Sequence, residues 1–165
     1  MTWLDEQASG ATPLLRTVGL RPELAPLLDE FLAATWAATA DPLTLELCRL
    51  RIAQIHGDRG QLALRQEPAL AAGLTEEHVA ALDDYLTSAV FTAHQRHCLA
   101  YAEQYVIDVH GITDADAAAV KQEMSDDQYV AFTVALGLFD GLGRMRLALG
   151  VDDQANGSVP VSPAH

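Results

Sequence analysis

The sequence predicts an all-α fold in a single domain. Alanine and leucine dominate the composition, strand-type alternation is scarce, and apolar residues recur at helical spacing between capping residues. The 165 residues fit one domain, and the 50% of them that are apolar can form a core without disulfide staples. We expect six to seven helices over residues 21–150, after an irregular segment over 1–20 and before a disordered tail over 151–165.

The N-terminal segment precedes the first predicted helix. Residues 1–20 contain three helix breakers, which are Gly10, Pro13 and Gly19. The first helix is expected to begin near Pro22, because proline suits a first helical turn. Its apolar residues recur at helical spacing as far as Trp36.

The second and third helices follow a clear pair of boundary signals. Asp41 is the predicted N-cap of the second helix, Pro42 its first residue, and Gly57 its end. A short third helix is expected from about Arg59 and should end before Pro68, since proline disrupts a helix interior.

The remaining helices are each marked by a capping residue or a long apolar repeat. Thr75 and Thr113 are the predicted N-caps of two of them. Ser125 and Gln128 have the spacing of a capping box, and the last helix is expected to follow them to about Leu149. Between these, a long helix is predicted from about Ala93 to His110.

Charge and cysteine content exclude several classes of function. Asp and Glu number 23 against 10 Lys and Arg, giving a net charge of −13, so neither nucleic acid nor an anionic membrane surface is an expected partner. No stretch has the length of a membrane span, and the first residues are acidic where a signal peptide is basic. Cys48 and Cys98 form no disulfide framework. We therefore expect a soluble cytoplasmic protein.

Three stretches carry a resemblance to a known superfamily. Residues 43–65, LTLELCRLRIAQIHGDRGQLALR, resemble the signature segment of the carboxymuconolactone decarboxylase and alkylhydroperoxidase D-like superfamily. The stretches AAGLTEEHVAALDDYLTSAVFTAHQRHCLAYAEQYV and SDDQYVAFTVALGLFDGLGRMRLAL are similar to its later helices. The likeness covers roughly residues 42–151. It implies an all-helical bundle that assembles into homo-oligomers such as trimers or hexamers.

The peroxidase-type members of that superfamily share a motif of four residues. It runs from a Glu over eleven residues to Cys-x-x-Cys and then over three residues to a His. The Glu is present here as Glu46, whereas Asp58, Gln61 and Arg65 stand at the other three positions. Both redox sulfurs of the motif are replaced, so we expect no thiol peroxidase activity.

Glu46 and Asp58 each admit two interpretations. Glu46 is either a proton-transfer residue, as the family position implies, or one half of a surface ion pair with Arg49 one turn along the helix. Asp58 is either a general base beside Glu46 or the N-cap of the third helix, with Gln61 at the third helical position in a capping-box arrangement. The cap is the interpretation that we favour for Asp58.

The other candidate residues lie close in sequence to Glu46 and Asp58. His56 closes the second helix, where a cation complements the helix dipole, and the family position makes it a candidate catalytic residue. Arg51, Gln61 and Arg65 are candidate binding residues, because the arginines could hold an anionic substrate.

A His-x-x-His-Cys sequence on the long helix is a weaker candidate. His94, His97 and Cys98 include ligand types that zinc uses, but no further ligand is indicated. We expect surface histidines beside a buried cysteine, and neither a metal nor another cofactor.

Three functions remain open from the sequence. The first is a superfamily member without its redox cysteines that binds or acts on a small molecule without thiol chemistry. The second is a lyase or isomerase of the lactone decarboxylase type that uses Glu46 and nearby His and Arg residues. The third is a non-enzymatic oligomeric assembly protein.

Overall fold

The computed structural model describes residue 4, residues 8–10 and residues 12–151, and over these residues it is helical without any strand. It is a single domain, as the sequence predicts. Its helices run, in chain order, over Pro13–Val18 (α1), Ala25–Ala37 (α2), Pro42–His56 (α3), Arg59–Ala63 (α4), Glu67–Ala71 (α5), Glu76–Ala80 (α6), Ala93–Ile107 (α7), Asp114–Lys121 (α8) and Asp126–Ala148 (α9). Two 3-10 turns lie at Leu82–Asp84 and Val109–Gly111.

Helix α3 is the centre of the fold. It packs against α7 and α9 and is covered by α4 and α5. Residues 44–50 are all buried, although an amphipathic helix would leave part of each turn exposed. A helix buried on every side requires that Glu46 and Arg49, which fall in this stretch, find polar partners inside the protein.

The boundary signals of the sequence are largely confirmed. Asp41 caps α3, its side chain accepting the Thr44 N–H at 3.0 Å, and Gly57 ends α3 in the left-handed region at a φ of 68°. Thr75 and Thr113 cap α6 and α8. The side chain of Gln128 accepts the Ser125 N–H at 2.9 Å at the start of α9.

Several predicted element boundaries are wrong. Residues 13–18 form α1 inside the segment predicted to be irregular, because Pro13 occupies a first helical turn rather than breaking a helix. The predicted third helix is α4, which ends before Pro68 as expected, whereas α5 is an additional helix with Pro68 in its first turn. The two short helices that were not predicted, α1 and α5, raise the number of α-helices in the described residues to nine, above the six to seven expected.

The long helices also differ slightly from prediction. Helix α2 begins at Ala25 rather than near Pro22, and α7 ends at Ile107, with the 3-10 turn continuing the chain. Among the described residues, no helix combines the length and the apolarity that crossing a bilayer demands. The predicted tail beyond Val151 lies outside the described residues.

Candidate functional site

Glu46 and Arg49 form a buried ion pair one turn apart on α3. Their side chains are 0% and 5% exposed. Arg49 Nε donates to Glu46 Oε2 at 2.6 Å and Nη2 donates to Oε1 at 2.7 Å, so the contact is bidentate. The predicted pair therefore exists, but its predicted surface position is wrong, because α4 and α5 cover this part of α3.

The same pair forms hydrogen bonds with α4 and with the residues that follow it. Arg49 Nη1 donates to both the main-chain oxygen and the side-chain Oε1 of Gln61, each at 3.2 Å, and Nη2 donates to the Leu64 carbonyl at 3.1 Å. The Gln66 N–H donates to Glu46 Oε1 at 3.2 Å. Oε1 of Glu46 and both terminal nitrogens of the Arg49 guanidinium thus attach residues 61–66 to α3.

Asp58 has two distinct partners, one local and one distant. Its Oδ1 accepts the Gln61 N–H at 3.0 Å, so Asp58 is the N-cap of α4, as the favoured interpretation holds. Its Oδ2 accepts Arg146 Nε at 2.9 Å, with the two side chains 8% and 3% exposed. The Asp58 N–H donates to the Ala53 carbonyl at 2.9 Å.

Arg146 is the residue that sequence reasoning missed. It lies near the end of α9 and is buried on the same face as Phe139 and Gly143, which are seven and three residues earlier. An arginine at an apolar position of a helical repeat is a signal of a buried ion pair, because an isolated buried charge is costly. Glu46, Arg49, Asp58, Gln61 and Arg146 are called the ion-pair cluster below.

His56 lies beside this cluster and is bound to α9. Its Nε2 is 2.9 Å from Asp140 Oδ1, and Arg144 Nε donates to both Asp140 oxygens at 2.9 Å. The His56 Nδ1 is buried without a hydrogen-bond partner. A Cβ added at Gly143 would collide with this ring, so the absence of a side chain there allows α3 and α9 to approach each other.

Two of the candidate binding residues, Arg51 and Arg65, bind acidic residues outside the ion-pair cluster. Arg51 donates to Glu103 on α7 at 2.9 and 2.7 Å and lies over the ring of Tyr85, 5.4 Å from its centroid. Arg65 forms a two-bond contact with the exposed Glu76, at 2.9 Å for each bond. Of the three predicted binding residues, the structure brings only Gln61 into the cluster.

Both cysteines lie in the core and away from the motif positions. Cys48 on α3 and Cys98 on α7 are free thiols and are fully buried. Burial raises the pKa of Cys98 to about 12 and raises that of Cys48 well above its usual range. Such thiols remain protonated at neutral pH and are poor nucleophiles.

The His-x-x-His-Cys candidate is divided by burial. His94 is buried and its Nε2 lies 3.5 Å from Cys98 Sγ, whereas His97 is exposed. The expectation of surface histidines is therefore wrong for His94. Within the described part of the chain, no three His, Cys, Asp or Glu side chains converge as metal ligands would.

The chemistry open to the cluster is limited by its internal pairing. Each of its two carboxylates already accepts a charge-assisted bond from a guanidinium, and charged groups of this kind form the strongest protein hydrogen bonds. No sulfur lies at positions 58 and 61, so a dithiol cannot form there. The arrangement joins α3, α4 and α9.

Comparison with solved structures identifies the fold. The chain matches the crystal structure of a protein of unknown function from Agrobacterium tumefaciens, provisionally named as the antioxidant defence protein AhpD, with a TM-score of 0.71. The match covers 93% of this chain and 99% of that one at 17% sequence identity. This chain has the AhpD-like fold. At that identity, the AhpD-like architecture is shared while the chemistry of the site is free to differ.

Sequence comparison adds relatives without a known function. Two uncharacterized proteins of Mycobacterium tuberculosis, from strains CDC 1551 and H37Rv, are each 30% identical to this AhpD-like chain over 129 residues. The alignment covers 78% of the chain but only 45% of each relative, so the chain spans about half the length of the proteins it matches. No protein-family model matches the sequence.

Proposed function

We propose that this chain is a redox-inactive member of the carboxymuconolactone decarboxylase and alkylhydroperoxidase D-like superfamily that functions as a non-enzymatic, homo-oligomeric assembly protein. The observation that carries the proposal is the ion-pair cluster. It fills the positions where the resembling peroxidases have their Glu and Cys-x-x-Cys, and it satisfies the carboxylates of Glu46 and Asp58 with Arg49 and Arg146.

The lyase or isomerase alternative is less well supported by this geometry. General acid–base catalysis needs a carboxylate within reach of a substrate proton, and both oxygens of Glu46 are bonded within the protein. An anionic substrate would also need convergent arginines. Arg51 and Arg65 are instead engaged by Glu103 and Glu76 on separate parts of the surface.

Homo-oligomerisation is supported by an exposed apolar stripe on α2. Leu24, Leu27 and Phe31 follow one another at helical spacing and are exposed, Leu27 by 62%. Exposed apolar side chains that share one helix face are a feature of protein–protein contacts. A trimer or hexamer, as the resemblance implies, would bury this stripe between copies of the chain.

A second candidate function has its own supporting observation. A pocket that shares no residue with the ion-pair cluster lies at the N-terminal ends of α3, α7 and α9. It supports the binding of a small molecule without thiol chemistry. For either function the proposed location is the cytoplasm, since two buried free thiols suit a reducing compartment. The net charge of −13 disfavours nucleic acid and anionic membranes as partners.

Light scattering combined with size-exclusion chromatography tests the assembly proposal. The wild-type chain should elute as a stable trimer or hexamer at micromolar concentration. Leu27→Glu and Phe31→Glu should dissociate it, because each places a charge in the buried contact. Leu86→Glu is the matched control, since Leu86 is 66% exposed but lies outside the α2 stripe. A monomeric wild type would overturn the proposal.

A peroxidase assay tests the redox-inactive assignment separately. Purified protein with cumene hydroperoxide and dithiothreitol should show no turnover above the uncatalysed rate. Turnover in the wild type would contradict the assignment. Its loss in Cys48→Ser or Cys98→Ser would then show that the core cysteines are responsible, and its survival in both would point to another group.

A further inference from the structure

The pocket at the ends of three helices has a volume of about 100 Å³. Its walls come from the residues that precede and begin α3, from His94 in the first turn of α7, and from the segment that leads into α9. An apolar cavity of about 150 Å³ accommodates benzene, so the volume here suits a ligand of about four heavy atoms.

The pocket has an apolar inner end and an acidic mouth. Leu45 and Phe132 are buried lining residues, and they provide the apolar surface. Asp41 and Glu123 also line the pocket but are exposed, so they lie at its opening to solvent. A ligand that fits both parts has a short apolar tail and a polar head.

The head group should carry a positive charge. Within the described residues, the lining contains no lysine or arginine, and neither Asp41 nor Glu123 takes part in a salt bridge. Burial is the main cause of the raised pKa of Cys98, and the negative charges of Asp41 and Glu123 are the smaller causes. Their negative field therefore reaches into the core behind the pocket.

The helix ends do not reverse this preference. Helix N-termini attract anions through their unpaired N–H groups, but one such group of α3 and one of α7 are bound by capping side chains here. Asp41 accepts the Thr44 N–H at 3.0 Å, and Thr92 accepts the Gln95 N–H at 3.1 Å. Both oxygens of Asp41 accept hydrogen bonds from Thr44, but neither Asp41 nor Glu123 has a cationic partner among the described residues.

His94 provides an independent sign of a binding site. Its side chain lines the pocket, is only 9% exposed, and has a buried Nδ1 without a hydrogen-bond partner. Since the Cys98 thiol is protonated, one tautomer of His94 donates from Nε2 to Sγ and leaves Nδ1 as an acceptor. Either tautomer leaves the buried Nδ1 of this pocket-lining ring without a hydrogen-bond partner, which is costly.

We propose that this pocket binds a small primary ammonium ion, with its charged head between Asp41 and Glu123 and its short tail against Leu45 and Phe132. The inference specifies the small-molecule candidate described above. It is independent of the assembly proposal, which depends on the α2 stripe. Loss of one proposal in its own test therefore leaves the other standing.

Titration of the full-length chain with propylammonium chloride tests the site. Nuclear magnetic resonance at pH 7 and constant ionic strength should show saturable shifts of the Leu45 methyl groups and the His94 ring. Propionate and propanol, which match the ligand in size but are anionic and neutral, should give no saturation. The three probes together separate charge recognition from simple filling of an apolar space.

Charge-removing variants complete the experiment. Glu123→Gln should weaken binding by roughly two- to fivefold, as expected for an exposed ion pair. Asp41→Asn keeps an N-cap residue and should have a similar effect, so the double variant should lose roughly tenfold. Glu77→Gln, an exposed acid on α6, should bind like wild type. The proposal is overturned if propylammonium does not saturate, if propionate binds as tightly, or if the double variant retains wild-type affinity.

Discussion

The carboxylate of Asp58 connects two parts of the chain that are far apart in sequence, because its Oδ2 accepts Arg146 Nε at 2.9 Å while its Oδ1 caps α4. A cap alone would make this residue replaceable by other capping residues. The ion pair with the buried Arg146 adds a requirement for charge that only the tertiary structure reveals. Asp58 is thus both a local and a long-range stabilising residue.

The Asp58→Asn substitution should destabilise the protein by about 3 kcal/mol, although asparagine is a good N-cap. The amide can still accept the Gln61 N–H, but it removes a charge partner of buried Arg146. Urea unfolding measures the effect. Thr75→Ala is the matched control, because it removes a cap without an ion pair and should cost only about 1 kcal/mol. If Asp58→Asn were neutral, the ion pair would contribute nothing and the cap would be the whole role.

The Glu46–Arg49 pair should show strong coupling in a double-mutant cycle. Glu46→Gln and Arg49→Met should each cost about 3–5 kcal/mol, because each leaves the other charge without its bidentate partner inside α3. The double variant should be clearly more stable than the sum of the single effects predicts. Additive effects, measured by urea unfolding, would mean that the two side chains stabilise the fold separately.

Gly143 and Gly141 of α9 should respond in opposite directions to alanine. Gly143→Ala should destabilise by about 1–3 kcal/mol, because the new methyl group collides with the His56 ring. Gly141→Ala should stabilise by up to about 1 kcal/mol, since nothing lies within 4 Å of the new Cβ and alanine favours a helix. Thermal unfolding of both variants tests this, and a stabilised Gly143→Ala would refute the close contact.

The two thiols should be unreactive in the folded protein and should link stability to alkaline pH. Burial raises the pKa of Cys98 from 9.0 to about 12, so at pH 8 a thiol reagent should modify neither cysteine until the chain unfolds. Because the folded pKa lies above the unfolded one, this contribution to stability is complete below pH 9.0 and declines as the pH rises toward about 12. Rapid modification of native protein by a disulfide reagent at pH 8 would contradict the burial of both thiols.

Some parts of the candidate site could be predicted from local sequence, and others could not. The N-cap role of Asp58 depends on residues within one helical turn, and the sequence identified it correctly. The partner of Arg51 could not be found in this way, because Glu103 lies 52 positions further along the chain. The surface position expected for Glu46 and Arg49 was wrong, since burial of α3 depends on how α4 and α5 fold back over it.

The sequence by itself determined the helical class, the caps of α3, α6 and α8, and the absence of cysteine at positions 58 and 61. These features depend on residue type and on spacing within one or two helical turns. Only the tertiary structure decided that Asp58 pairs with Arg146 and that His56 packs on Gly143. Such contacts form because buried charges and close helix packing must be satisfied by whatever element lies opposite in space, and local sequence does not specify which element that is.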